Sequence, residues 1–293
     1  MRILITGGSG FLGRNLKEYL SGKHEVLSPS HVELDILDDA AVDAFFRQQK
    51  VDAVLHCAAV IVNGKAQAVP EALKRNLTMF FNIARNASHF KKMIFFGSGA
   101  EYGKHRDIVD AAEQEFGSVI PRDDYGLYKY VCTEYLLRAD NIINLRLFGV
   151  FGKYEDYGIR FPSNIVCRAL FDLPIEMHQD RLIDFVAVED VCRIVDYFIL
   201  HDTQHRVYNV ASDERLSLLE MARMICDITG KAADKEITVK KPKKGPTYTC
   251  SNALLMRELG QFRFTPLRKS LEGLYAWFDE NRDKVEKENL LKY

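Results

Sequence analysis

The chain has no C-x-x-C pair among its six cysteines and no excess of charge of either sign. Cys57, Cys132, Cys167, Cys192, Cys226 and Cys250 are scattered, with no metal-ligand spacing to histidine. This argues against a disulfide framework or a zinc motif and reads as buried free thiols in a reducing compartment. Forty Lys plus Arg stand against 41 Asp plus Glu, a formal net charge of −1. No global field therefore argues for nucleic acid or an anionic membrane as partner. No apolar stretch reaches the roughly 18 residues needed to span a bilayer, and the N-terminus runs into a strand pattern without a basic and then apolar leader. Internal repeats and low-complexity tracts are also missing. These absences leave a cytoplasmic enzyme with a small partner as the expectation. With 47% hydrophobic residues in 293, the chain can bury a sizeable core, in one large or two modest domains.

What is present begins with rhythm. Apolar runs bounded by turn residues, "RILIT", "HEVLS", "VDAVLHCAA", "KMIFFGS" and "NIINLRLF", read as strands. Between them "FLGRNLKEYLSG", "DDAAVDAFFRQQ", "PEALKRNLTMFFNIARNASHF" and "YGLYKYVCTEYLLRA" carry helical periodicity. Such alternation implies right-handed crossovers and a doubly wound parallel sheet over residues 1–150. Residues 151–293 are more irregular and predict a smaller α+β substrate-binding region, with some elements returning to the core. There "FPSNIVCRALF", "EDVCRIVDYFIL", "SLLEMARMICDITG" and "LRKSLEGLYAWFDEN" read as helices, and "PIEMHQ", "DFVAV", "VYNVA" and "EITVKK" as short strands. The lysine-rich "KKPKKGPTYTCS" reads as a surface loop: a solvated face or a phosphate contact.

"ILITGGSGFLG" at residues 3–13 places Gly7, Gly10 and Gly13 where a strand gives way to a helix. A glycine at such a turn permits positive φ, another lets backbone approach a pyrophosphate, and a third allows close helix–strand packing. The helix beginning near Phe11 would aim unpaired N–H groups and its positive dipole end at the phosphates. The spacing alone fits a plain tight turn; strand before, helix after and the following βαβ rhythm favour a dinucleotide site. An acidic residue ending the second strand normally holds the ribose 2′-OH of NAD. Here that strand ends "VLSPSH", with no acid before Glu33. Ser28 and Ser30 leave room for a phosphate that Arg14 or His31 could face, which favours NADP(H) over NAD(H).

Two further stretches suggest chemistry. In "FFGSGAEYG" a buried strand ends at Ser98; in "YGLYK", Tyr125 and Lys129 are four apart, on one helical face. Free tyrosine has a pKa near 10, so it is a poor base alone. An ammonium one turn away, together with an oxidised nicotinamide, would lower that value and let Tyr125 exchange a proton with a sugar or alcohol oxygen. Ser98 would hydrogen-bond the same oxygen. A Tyr–Lys pair is commonplace; its appearance after the glycine motif and the serine gives it weight.

With these residues, and with "HCAA" at 56–59, "LRLFGVFG" at 145–152, "DFVAVEDV" at 184–191 and "VYNVAS" at 207–212, the chain resembles extended short-chain dehydrogenase/reductases of the nucleotide-sugar epimerase, dehydratase and reductase group along nearly its whole length. The resemblance implies a Rossmann-type fold in which Gly7, Gly10, Phe11 and Leu12 of the turn closed by Gly13 contact the pyrophosphate. It implies that Asp35 and Ile36 flank the adenine, that Cys57, Ala58 and Ala59 line the cofactor cleft, and that Asn76 lies near the cofactor. Tyr125 and Lys129 would also bind the nicotinamide ribose. The C-terminal region would hold a nucleoside diphosphate, and the helices around 70–88 and 125–138 would pair in a homodimer.

Family members often carry arginine directly before the Asp of the "DFVAV" strand. Here Ile183 stands there, and Arg181, two residues earlier, is the substitute, or a rim charge. Gly149 replaces a common substrate-facing asparagine, "KY" follows where proline is usual, and Arg160 and Asn164 are candidate diphosphate or sugar ligands. Dehydratases of the group carry Asp and Glu after the catalytic serine, where this chain has Gly99 and Ala100, with Glu101 displaced by one and turned away. A 4-keto-sugar reductase is the reading this favours, with Ser98, Gly99 and Ala100 at the substrate. The alternatives are an epimerase of the same group and, in another class, a non-catalytic dinucleotide sensor, which Tyr125→Phe would leave little affected. No histidine lies in 149–164, so double epimerisation is not inferred.

Overall fold

The opening apolar run becomes β1 (Arg2–Thr6), whose Ile3, Leu4 and Ile5 are fully buried. In the computed structural model, which describes residues 1–61, 71–233 and 237–291, β1 is the pivot of a six-stranded sheet. Its other members are β2 (Glu25–Leu27), β3 (Ala53–His56), β4 (Lys92–Ser98), β6 (Ile142–Leu147) and β11 (Val207–Val210). The order is β11-β6-β4-β3-β1-β2, all parallel.

Side chains alternate across the sheet with a period of two. Ile3, Ile5, Ile94 and Phe96 face α1 (Phe11–Leu20) and α6 (Val188–Leu200). Leu4, Met93 and Phe95 face α2 (Asp39–Gln48), α3 (Ala72–Ala84) and α4 (Asp124–Leu136). Helices on both faces explain why these strands read as unbroken apolar runs. Pro70, first residue of the stretch read as the third helix, and Glu236, first of "EITVKK", lie outside the described residues.

Thr6 is in register with His56, His56 with Phe95, and Ser98 with Leu147, so β1, β3, β4 and β6 end along one edge. The chain reverses its direction of travel across the sheet between β1 and β3, the type of switch point where α/β proteins bind ligands. An open groove lined by Met1, Arg2, Lys23, His24, Lys50 and Asp52 lies at the opposite edge, away from these ends.

The rest of the chain builds a second layer. A four-stranded sheet runs β12 (Arg215–Ser217), β9 (Leu182–Asp184), β14 (Tyr248–Cys250), β5 (Ile108–Ala111). Two-stranded pairs join β7 (Val150–Phe151) to β10 (Val186–Ala187) and β8 (Ile175–Gln179) to β13 (Ile237–Lys241). Helices α5 (Phe161–Leu170), α7 (Leu218–Thr229) and α9 (Leu267–Glu280) bury Val166, Ile225 and Leu271 in a separate core; α8 (Ala253–Leu259) packs Leu255 under the main sheet.

Two sequence expectations are corrected here. "DFVAV" is not one strand: β9 ends at Asp184 and β10 starts at Val186, because the chain changes partners at Phe185. The Asp184 carboxylate receives Arg215 Nε and Cys250 N at 2.8 and 2.7 Å, while Val186 N donates to Gly149 O. "KKPKKGPTYTCS" is not all loop. Past Pro246, Tyr248–Cys250 form β14, with Thr249 and Cys250 buried, parallel to both β5 and β9. Its lysines and prolines dominate the composition, and three strand residues are too few to show a period.

Candidate active site

The turn after β1 is shaped by missing side chains. Gly7 has φ +68°, a left-handed backbone that favours glycine. A Cβ on Gly13 would stand 2.3 Å from Gly7 O, so α1 can pack onto the turn only without one. A Cβ on Gly7 would stand 2.7 Å from Ala58 N and Cα, which brings the Cys57–Ala59 segment directly against the turn. Gly10 caps α1 with no side chain of its own, and the first N–H groups of any helix, here those of Phe11, Leu12 and Gly13, have no partner within it. Glycine cradle, open backbone donors and positive dipole end fit a dinucleotide pyrophosphate.

Around this cradle, side chains hold backbone. Asn76 receives Val60 N at 2.7 Å and donates to Val60 O at 2.8 Å, so its amide clamps the loop after β3. Asn82 donates to Ile36 O at 3.0 Å and to Leu37 O, and Asp35 receives Leu37 N at 2.9 Å. The Ser28 hydroxyl lies where a Cβ on Gly8 would be. Glu33 receives Ser30 N at 2.6 Å, and His31 stands 3.5 Å from Asp35. Arg14 is drawn away from this region, its guanidinium 3.7 Å from the centre of the Tyr154 ring.

Ser98 ends β4 and caps the one-turn helix Gly99–Tyr102: its Oγ receives Ala100 N at 3.2 Å, and Glu101 receives Ser98 N at 3.0 Å in return. Glu101 then points inward. It is fully buried and receives Arg146 Nε at 2.8 Å and Thr133 Oγ1 at 2.9 Å. Arg146 continues to Tyr102 Oη at 2.6 Å.

Tyr125 lies in the first turn of α4, which Asp123 caps by receiving Gly126 N at 2.8 Å. Gly126 lets that turn sit on the Ala100 carbonyl, 2.9 Å from where its Cβ would be. This contact brings Tyr125 beside the Ser98 turn. Lys129, buried, reaches under it: its Nζ is 5.7 Å from the Tyr125 ring centre and donates to Phe96 O at 2.5 Å. Burial pushes Lys129 down to about 8. Without a nicotinamide beside it, burial raises the Tyr125 pKa, and the Ser98 hydrogen bond and the Arg160 charge pull it back.

Opposite stand Lys104, Arg160 and Arg181, all exposed. Partial desolvation lowers the Lys104 pKa, Asp123 opposes this, and Arg160 and Arg181 add to it, so the three cations share one field. Neither Gly149 nor Asn164 offers a side chain to that space. Gly149 has φ +41°, and its Cβ would meet Asp184 O at 2.2 Å. Asn164 donates to Tyr157 O at 2.9 Å and receives Arg168 Nε at 2.9 Å, bracing the loop before α5. Gly99 and Ala100 line the turn beside Ser98.

The profile of the NAD dependent epimerase/dehydratase family matches residues 3–211. The chain belongs to this family. It is accordingly an enzyme of the epimerase/dehydratase class that uses a nicotinamide dinucleotide. Among relatives of known function, the UDP-glucose 4-epimerase of Bacillus subtilis is 25% identical, over 96% of this chain and 98% of that protein. Among solved structures, UDP-glucose 4-epimerase from Thermotoga maritima with UDP-glucose superposes with a TM-score of 0.82 at 22% identity, covering 96% of this chain and 100% of that one. A GDP-mannoheptose C4 reductase from Campylobacter jejuni with NADP bound gives 0.78 at 20%, covering 95% and 98%. The family fold thus extends through the C-terminal layer.

Sequence reasoning missed two side chains at this site. Lys104 lies in the turn after Tyr102, its Nζ 5.5 Å from the Tyr125 ring centre and 5.3 Å from that of Tyr248. Tyr248, on β14, brings its hydroxyl 3.4 Å from Ser98 Oγ. For Lys104 no sequence signal existed. For Tyr248 the β-favouring "TYT" after Pro246 was the available one.

Proposed function

We propose that the protein is an NADP(H)-dependent 4-keto-sugar reductase acting on a nucleoside-diphosphate sugar, with Tyr125 as proton donor. The observation that carries this reading is the orientation of the turn after β4: Ser98 adjoins Tyr125, whereas Glu101 is locked on Arg146 in the interior. Without a carboxylate at residues 99 and 100, elimination of water lacks its acid and base. Burial also keeps the Tyr125 phenol protonated at neutral pH, the form from which a reduction starts.

A reduced nicotinamide held at the glycine cradle of Gly7, Gly10 and Gly13 would supply the hydride for the keto carbon. Tyr125 Oη transfers its proton to the carbonyl oxygen as that oxygen gains charge, and Ser98 Oγ donates a hydrogen bond to the same atom. Lys129, one turn below, favours the phenolate that remains, and solvent reprotonates it. Lys104, Arg160 and Arg181 meet the diphosphate, with Arg160 and Arg181 the ligands first expected there.

NADP(H) is favoured over NAD(H) because the acids nearest the end of β2 are engaged locally, Glu33 with Ser30 N and Asp35 with Leu37 N. The bound NADP of the Campylobacter reductase supports the same choice. The six free thiols support a reducing, cytoplasmic setting. Tyr135 and Leu137, 39% and 49% exposed at the end of α4, support a homodimer across α3 and α4.

A 4-epimerase is the second reading, favoured by the Bacillus relative. A panel of nucleoside-diphosphate 4-keto-sugars and the matching 4-hydroxy sugars separates the two, since a reductase consumes NADPH or NADH with the keto-sugars and leaves the 4-hydroxy sugars unepimerised, whereas an epimerase interconverts the 4-hydroxy sugars with no net change in cofactor. If neither cofactor raises the melting temperature at saturation, both readings fail.

A further inference from the structure

Ser98 Oγ is a junction of hydrogen bonds. Ala100 N donates to it at 3.2 Å, and the Tyr248 hydroxyl stands 3.4 Å away. A serine hydroxyl has one hydrogen to give and two lone pairs with which to receive. Ala100 fills one. With Tyr248 filling the other, the Ser98 hydrogen must point outward, to Tyr125 or to whatever oxygen lies beside it.

The surroundings are built to hold that phenol. A Cβ on Gly99 would stand 2.6 Å from Tyr248 Oη and 2.4 Å from two Phe148 ring carbons, so residue 99 has no room for a side chain while Tyr248 is in place. The Phe148 and Tyr248 ring centres are 4.7 Å apart. β14 is fixed by Cys250 N donating to Asp184 at 2.7 Å and by the buried Thr249, whose Oγ1 receives Asp110 N at 2.9 Å.

We propose that Tyr248 is a positioning residue: by donating to Ser98 Oγ it fixes Ser98 as the hydrogen-bond donor to the Tyr125 oxygen and to the reacting carbonyl. Together with the Phe148 ring it also accounts for glycine at position 99, where a side chain would meet both. Burial raises the Tyr248 pKa, which keeps its proton available to donate. The inference rests on the proposed acid/base role of Tyr125. The groups facing Tyr125 are the cations Lys129, Lys104 and Arg160, the carboxylates Glu101 and Asp123, and the phenols Tyr128 and Tyr248. Tyr248→Phe removes none of these charges.

The test is an ultraviolet titration of tyrosinate absorbance in the intact protein saturated with NADP⁺, the Tyr125 step being defined by subtracting Tyr125→Phe in each background. A donor to a phenolate is worth about one pH unit. Tyr248→Phe is expected to raise the Tyr125 step by about that much, and to add nothing in a Ser98→Ala background. An unmoved Tyr125 step, or an equal shift with Ser98 absent, overturns the relay and leaves the proposed function standing. A Tyr125 step lost among the ordinary tyrosines in every background overturns the acid/base reading and the relay with it. Should Tyr248→Phe lose its thermal shift with NADP⁺, Gly99→Ala, which crowds the phenol off Ser98, must raise the same step, and no rise overturns the proposal.

Discussion

On the inner side of the Gly99–Tyr102 turn, Glu101 receives hydrogen bonds from Ser98 N, Thr133 and Arg146 and is fully buried. On the outer side, Tyr248 Oη stands 3.4 Å from Ser98 Oγ, Lys104 Nζ lies 5.5 and 5.3 Å from the Tyr125 and Tyr248 ring centres, and Tyr125, Tyr248 and Lys104 remain accessible to solvent. Four residues of backbone therefore separate a closed polar network from an open one. The inner network fixes the turn's geometry, and the outer one has hydrogen-bonding capacity left for a ligand. Buried networks of ion pairs and hydrogen bonds rigidify, and groups that must exchange protons cannot be closed in this way.

Substitutions on the two sides should separate activity from stability. Tyr125→Phe is expected to lower turnover by about 10²–10⁴-fold, with cofactor binding, read by thermal shift, retained. Glu101→Gln, on the inner side, should instead cost about 3–5 kcal/mol of stability in urea unfolding, because it leaves the Arg146 charge buried and uncompensated. Replacing both Glu101 and Arg146 by Met should cost less than either single change, and a double-mutant cycle measures the difference.

A third test uses acidity. His56, buried and bonded to Thr6 Oγ1 at 3.0 Å, is driven down to about 3 by burial. The unfolded chain binds its proton near pH 6.5, so the stability that neutral His56 supports is complete above about 6.5 and is lost as pH falls toward about 3. The loss is on the order of 5 kcal/mol, and His56→Phe should flatten that slope in melting curves. The smallest expected effect is Lys104→Met, with KM for a nucleoside-diphosphate sugar raised about tenfold and the melting temperature unchanged. A large stability loss there would erase the distinction between the two sides.

How much of this was legible in the sequence depends on distance along the chain. The glycine turn and the Tyr125–Lys129 spacing are local patterns, and the strand alternation that aligns Thr6, His56 and Ser98 is periodic. Tyr248 reaches Ser98 across 150 residues, in a stretch whose lysines and prolines masked a three-residue strand. The neighbourhoods of Gly149 and Asn164 could be read, but the direction of their side chains depends on Asp184 and on the loop at Tyr157, which only packing brings near. The direction of the Tyr125 shift also needed structure, since desolvation acts on phenol and ammonium alike.

The insertion of β14 between β5 and β9 has a consequence for how the molecule is made. A growing chain made as far as Val210 already holds every strand of the main sheet, yet Tyr248 comes later in the sequence. Domains form from the N-terminus as they are synthesised. The cleft side of the site is therefore the last part to be completed, since Tyr248 can reach Ser98 only after every strand of the main sheet has been synthesised.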